Sequence, residues 1–73
     1  MACISADGKP TASGEKMLRT LVSGPKTAES IAGETGFPLF KVRSGLRDLT
    51  QVALISQDAV NFSLTDKGRE LIN

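Results

Sequence analysis

The sequence has no histidine, no tryptophan and no tyrosine, and its single cysteine is Cys3. Each absence removes a class of chemistry. One cysteine forms no internal disulfide, so the chain is not a disulfide scaffold. Without histidine and with one thiol there is no plausible zinc-ligand set. The common nucleophile–base pairs also lose their base. No carboxylates are paired in a recognisable catalytic setting, and Gly33, Gly36 and Gly45 do not follow a strand as a phosphate loop would. The expectation is a protein that is not an enzyme and holds neither metal nor cofactor. No apolar run approaches the ~20 residues that span a bilayer. The first residues carry neither the basic segment nor the apolar stretch of a signal peptide. A cytoplasmic protein with no membrane partner is therefore expected. Charge of one sign is lacking too: nine Lys and Arg stand against eight Asp and Glu, for a net +1. Binding to a polyanion would then depend on where the cations sit and not on how many there are.

What remains is the composition of an ordinary globular domain, 73 residues with 40% hydrophobic and 23% charged. The length supports one domain, and a domain this small buries only about 60% of the surface its unfolded chain exposes, so each large apolar side chain counts. Residues 1–12 are small and polar, broken by Gly8 and Pro10, and read as a flexible N-terminal tail ahead of a domain over 13–73. Ser13 is the expected N-cap of a first helix, with Glu15 in its first turn and Met17, Leu18, Leu21 and Val22 on one face. Gly24-Pro25 ends it. Thr27 caps a second, short helix whose apolar face is Ala28, Ile31 and Ala32, and Gly36 closes it. Pro38 suits the first position of a third helix running to about Gln51. Leu39, Val42, Leu46 and Leu49 form its core stripe. Its opposite face carries Phe40, Ser44, Arg47 and Gln51, flanked by Lys41 and Arg43. The period then changes. Leu54 and Ile55 open an extended run, Gln57-Asp58-Ala59 reads as a turn, and Val60, Phe62 and Leu64 alternate with polar residues as a half-buried strand. Thr65 caps a last short helix anchored by Leu71 and Ile72.

A helical pair joined by a glycine-containing turn, followed by a helix and a hairpin, is a helix-turn-helix order. Three segments carry a resemblance: Ser30 to Pro38; then Val42, Leu46 and Leu49 with Val52-Ala53-Leu54-Ile55; and Phe62 to Leu71. Over roughly residues 15–72 the chain resembles the winged helix-turn-helix domains, particularly the MarR-like and ArsR-like regulators. The resemblance implies an α+β fold: a three-helix winged helix-turn-helix with a short C-terminal β-hairpin wing and a final short helix. It also implies a third helix that enters the major groove of double-stranded DNA.

The residues themselves agree in part. Arg offers a bidentate donor pair to guanine, Phe40 could pack on a thymine methyl, and Ser44 and Gln51 can bond base edges or phosphates. Lys26, Lys41, Arg43 and Arg47 would supply phosphate contacts, with backbone N–H groups near Thr27 adding to them. Against this, Lys41, Arg43 and Arg47 could form nothing more than a solvated helix face. Phe40 could fold back on the hairpin or the tail, or anchor a protein partner. Two departures from the family pattern stand out. The expected wing tip has no cation and carries Asp58, and there are no long helices of the MarR dimer type. The expected function is a DNA-binding transcriptional regulator that reads the major groove with its third helix, working as a homodimer. The alternative is a winged-helix protein–protein interaction module in a larger assembly.

Overall fold

In a computed structural model of the chain, which describes Ile4 and residues 9–72, four helices enclose one face of a small sheet. Helix α1 spans Ala12–Thr20, strand β1 Lys26–Thr27, α2 Ala28–Thr35, α3 Leu39–Gln51, β2 Ile55–Asp58, β3 Asn61–Leu64 and α4 Asp66–Ile72. The sheet is antiparallel in the order β1-β3-β2. The fold is therefore α+β. Among the described residues no helix is long and apolar enough to cross a membrane.

Each boundary has a local cause. The first helix starts at Ala12, not after Ser13, because Thr11 is its cap: the Thr11 hydroxyl accepts from the Gly14 N–H at 3.3 Å. Residue 12, expected at the end of the tail, is thus helical. Of the remaining tail, residues 1–3 and 5–8 lie outside the described residues, while Ile4 packs on the core and bridges to Pro10. Thr27 caps α2 as expected, accepting from Ser30 N–H at 3.2 Å. Gly36 closes α2 at φ 78°, donating to Ala32 O at 2.9 Å, a left-handed exit that glycine adopts without strain. Pro38 precedes α3, its carbonyl accepting from the Lys41 and Val42 N–H groups.

The far end of α3 closes in a way that the sequence does not advertise. Leu54 N–H reaches back to Leu49 O and Ala53 N–H to Thr50 O, both at 3.0 Å. This pair of bonds is a Schellman ending, which places Ala53 at φ 63°, the position that glycine usually fills. Residues from the start of α4 then cover the last carbonyls. The Thr65 hydroxyl donates to Ala53 O at 2.6 Å and Lys67 Nζ to Val52 O at 3.1 Å. Thr65 also caps α4, accepting from Gly68 N–H at 3.1 Å.

The core is one cluster: Met17, Leu18 and Leu21 from the first helix and the turn after it, Ala28 and Ile31 from α2, Val42, Leu46 and Leu49 from α3, and Leu54, Ile55 and Leu64 from the hairpin segment. Three expectations about this core are corrected. Val22, placed on the apolar face of the first helix, falls in the turn after α1 and is 54% exposed. Val60, read as an inward strand residue, is at the hairpin tip: Asp58 pairs with Asn61, so the turn is Ala59-Val60 and not Gln57-Asp58-Ala59. Leu71 is exposed, whereas Ile72 packs on the core as expected and Gly68 brings α4 so close that an added Cβ would collide with the Leu54 carbonyl oxygen. The buried Thr35 donates to Ile31 O and accepts from Phe37 N–H, so it is satisfied within the turn between α2 and α3.

Candidate functional site

The hairpin's inward face overhangs the side of α3. Ile55 and Leu64 sit opposite one another and are buried in the core. Two residues further toward the tip, on the same face by strand alternation, Gln57 and Phe62 are paired, Gln57 exposed and Phe62 half-buried against the edge of the core. Strand β1 holds this overhang in place. Lys26 pairs with Phe62 and Thr27 with Asn61, and Thr27 is also the cap of α2, so the hairpin is tied to the N-terminus of α2. The result is an open groove of about 430 Å³. One wall is α3, with Arg43, Arg47, Thr50 and Gln51; another is the start of α2, with Ala28 and Glu29; the third is the hairpin, with Gln57, Val60 and Phe62.

The expected site residues divide between this groove and other places. Arg43, Arg47 and Gln51 are exposed and line it. Arg43 makes a single contact, Nη2 to Glu29 Oε2 at 3.4 Å, with both side chains more than half exposed. Arg47 has no ion-pair partner among the described residues. Ser44 and Phe40 lie on the exposed face of α3 without lining the groove. Phe40 is 78% exposed, so neither the hairpin nor any described part of the N-terminal segment folds over it.

Two expected phosphate contacts are placed differently. Lys26 is held inside the fold: its Nζ donates to Thr20 O and to Ser23 Oγ, each at 2.6 Å, and lies 3.6 Å from Glu34 Oε2. Binding a phosphate would mean giving up those partners. Lys41 lies on the other flank of α3, with Nζ 4.4 Å from the centroid of the Phe37 ring, which Lys16 also approaches. At 100° per residue Lys41 and Arg43 are separated by about 160° around the helix, too far apart to serve one side. Thr27 contributes its hydroxyl to the α2 cap and its backbone to the sheet, so its part is structural.

Two groove residues are absent from the expected site: Glu29, in the first turn of α2, and Gln57, expected in the hairpin turn. Glu29 carried a usable signal: it lies in the first turn of α2, the turn that packs beside α3. Gln57 could be placed only once the hairpin register was known. Among the described residues no group of three His, Cys, Asp or Glu side chains is arranged to hold a metal ion.

Compared with known proteins, the chain matches no family model, no curated protein and no solved structure.

Proposed function

We propose that this chain is a winged helix-turn-helix domain of the MarR-like or ArsR-like kind that binds double-stranded DNA, with α2 and α3 as the helical pair and β2–β3 as the wing. The observation that carries the reading is the groove itself: the two arginines of α3 share one open surface with the hairpin, and Arg47 has no ion-pair partner there among the described residues. A 13-residue helix is about 20 Å long, and an α-helix fits a major groove about 12 Å wide. On this reading Arg47 and Gln51 address base edges, while Arg43 and Ser44 hold phosphates. With Arg43 as the phosphate-directed cation of the groove, the salt dependence is about one counterion per protomer, so tight binding calls for a homodimer on two half-sites. A transcriptional regulator is the role such a dimer would serve.

The test is an NMR titration of the protein with duplex DNA at two salt concentrations. Shifts centred on Ser44, Arg47 and Gln51 that weaken as salt rises are the expected result. Absence of any response at low salt would refute DNA binding.

One observation favours a second reading. Phe40 is 78% exposed and Val60, at the cation-free hairpin tip, 67%. Large apolar side chains left bare on a binding face are the usual anchors of protein interfaces. A winged-helix interaction module would bury Phe40 against a protein partner, and Phe40→Ala would then abolish assembly while leaving DNA affinity unchanged.

A further inference from the structure

We infer that Glu29 is an intramolecular competitor of phosphate for Arg43, and thereby sets how tightly the groove holds a polyanion; the inference rests on the nucleic-acid reading above. Three observations carry it. Glu29 is the one carboxylate among the described residues lining the groove, where it stands opposite two guanidinium groups. Its bond to Arg43 runs from a single Nη2 to a single Oε2 at 3.4 Å, with the side chains 63% and 65% exposed. And α2 carries an internal comparison, Glu34, which faces Lys26 outside the groove.

The geometry separates two roles that Glu29 could play. A carboxylate that orients an arginine for base reading grips it through two short parallel bonds. A long single contact in water restrains little and is worth little, so it would not hold Arg43 in a chosen direction. What it does is occupy the guanidinium with a negative group. A phosphate arriving at Arg43 must displace that carboxylate and then remain close to it. Glu29 therefore lowers affinity for any DNA backbone, and does so most at low salt, where like-charge repulsion is least screened. Arg47 is left as the groove's uncompensated cation, so binding depends more on the residue expected to read bases than on the backbone.

The experiment compares the wild type with Glu29→Gln and Glu34→Gln, two variants with the same change in net charge. Binding to a mixed-sequence DNA duplex is measured at low and at physiological salt, and circular dichroism checks that each variant is folded. Glu29→Gln is expected to bind about two- to fivefold more tightly at low salt, with the gain shrinking as salt rises. Glu34→Gln should match the wild type, because Lys26 keeps its bonds to Thr20 O and Ser23 Oγ. Measured against Arg43→Gln alone, adding Glu29→Gln to Arg43→Gln should give a smaller gain, because only the like-charge repulsion is then relieved. An equal gain in Glu34→Gln would overturn the inference, since net charge alone would then account for it. Unchanged or weaker binding by Glu29→Gln would overturn it while leaving the nucleic-acid reading standing. No binding by the wild type or by Glu29→Gln at low salt would refute both.

Discussion

The junction where α3 meets α4 and the groove where α3 meets the hairpin are built on opposite terms. At the junction Leu49 and Leu54 are buried, Thr65 and Lys67 cover the carbonyls of Ala53 and Val52 in the turn after α3, and Gly68 lies so close to Leu54 that a methyl group would not fit. In the groove the arginines are exposed, one carboxylate touches one of them loosely, and Val60 is bare at the rim. One helix thus serves both, burying Val42, Leu46 and Leu49 on one side and presenting Arg43, Arg47 and Gln51 on the other. The difference teaches that stability and the proposed binding reside in separable sets of residues. Changes at the junction should move the unfolding transition, and changes in the groove should move only binding.

The largest effect that would break this comparison, if absent, is at Leu49. Leu49→Ala should cost about 3–4 kcal/mol, since full burial of a leucine in a closed core leaves a cavity on truncation. A 73-residue domain holds only several kcal/mol in total, so the urea midpoint should fall most of the way to zero. Next is Gly68→Ala. It adds a single methyl on a helix, where alanine is ordinarily the better residue, yet overpacking against the Leu54 carbonyl should destabilise by about 2 kcal/mol. A neutral or stabilising result in urea would show that α4 can shift away from Leu54. Arg47→Ala tests the other region. It should weaken binding to a specific DNA site by about 1–3 kcal/mol while the unfolding free energy stays within about 0.5 kcal/mol of wild type. An isothermal titration together with a melting curve reads both halves of that statement. A large stability loss at Arg47 would mean that the groove is structural after all.

These two regions were not equally legible in the sequence. The core stripe of α3 was readable because Val42, Leu46 and Leu49 repeat at helical spacing, and the caps at Thr27, Gly36 and Thr65 because their residue types have one strong use. The four helices and the hairpin follow from those signals. Strand β1 was not readable, for two residues carry no period and Lys26-Thr27 pairs only because β3 arrives beside it. The groove was half legible. Periodicity placed Arg43, Arg47 and Gln51 on the exposed side of α3, but it could not say that Lys26 is held by Thr20 and Ser23 or that Lys41 turns toward Phe37. The first depends on a contact between α1 and β1, and the second on where the turn before α3 sets the Phe37 ring. Gly68 illustrates the same limit from the other side: a glycine in a short helix looks like a weakness until the neighbouring backbone is seen.

The smallest expected effect sharpens the comparison at a single position, because α2 and α3 each end through a left-handed residue. Gly36 does so at φ 78° and Ala53 at φ 63°. An L-residue there brings Cβ against the following carbonyl, at a cost of about 1–2 kcal/mol that glycine avoids. Glycine also makes the unfolded chain freer, which offsets roughly 0.4–1 kcal/mol of the gain. Ala53→Gly should therefore stabilise the domain by about 0.5 kcal/mol, with a denaturant midpoint slightly above wild type and an unchanged slope. Ala59→Gly at the hairpin tip, where φ is 57°, should give a gain of the same sign. The two differ in what else they touch. Ala53 belongs to the packed junction, and its carbonyl accepts from Thr65, so its relief is transmitted to α4. Ala59 belongs to the open region, where its carbonyl accepts only from the exposed Gln57 side chain, so stiffness at the tip has no such consequence for the core. If Ala53→Gly destabilises while Ala59→Gly stabilises, the freer backbone at residue 53 loosens the carbonyl that Thr65 binds, since the exposed Ala53 methyl has little packing to lose.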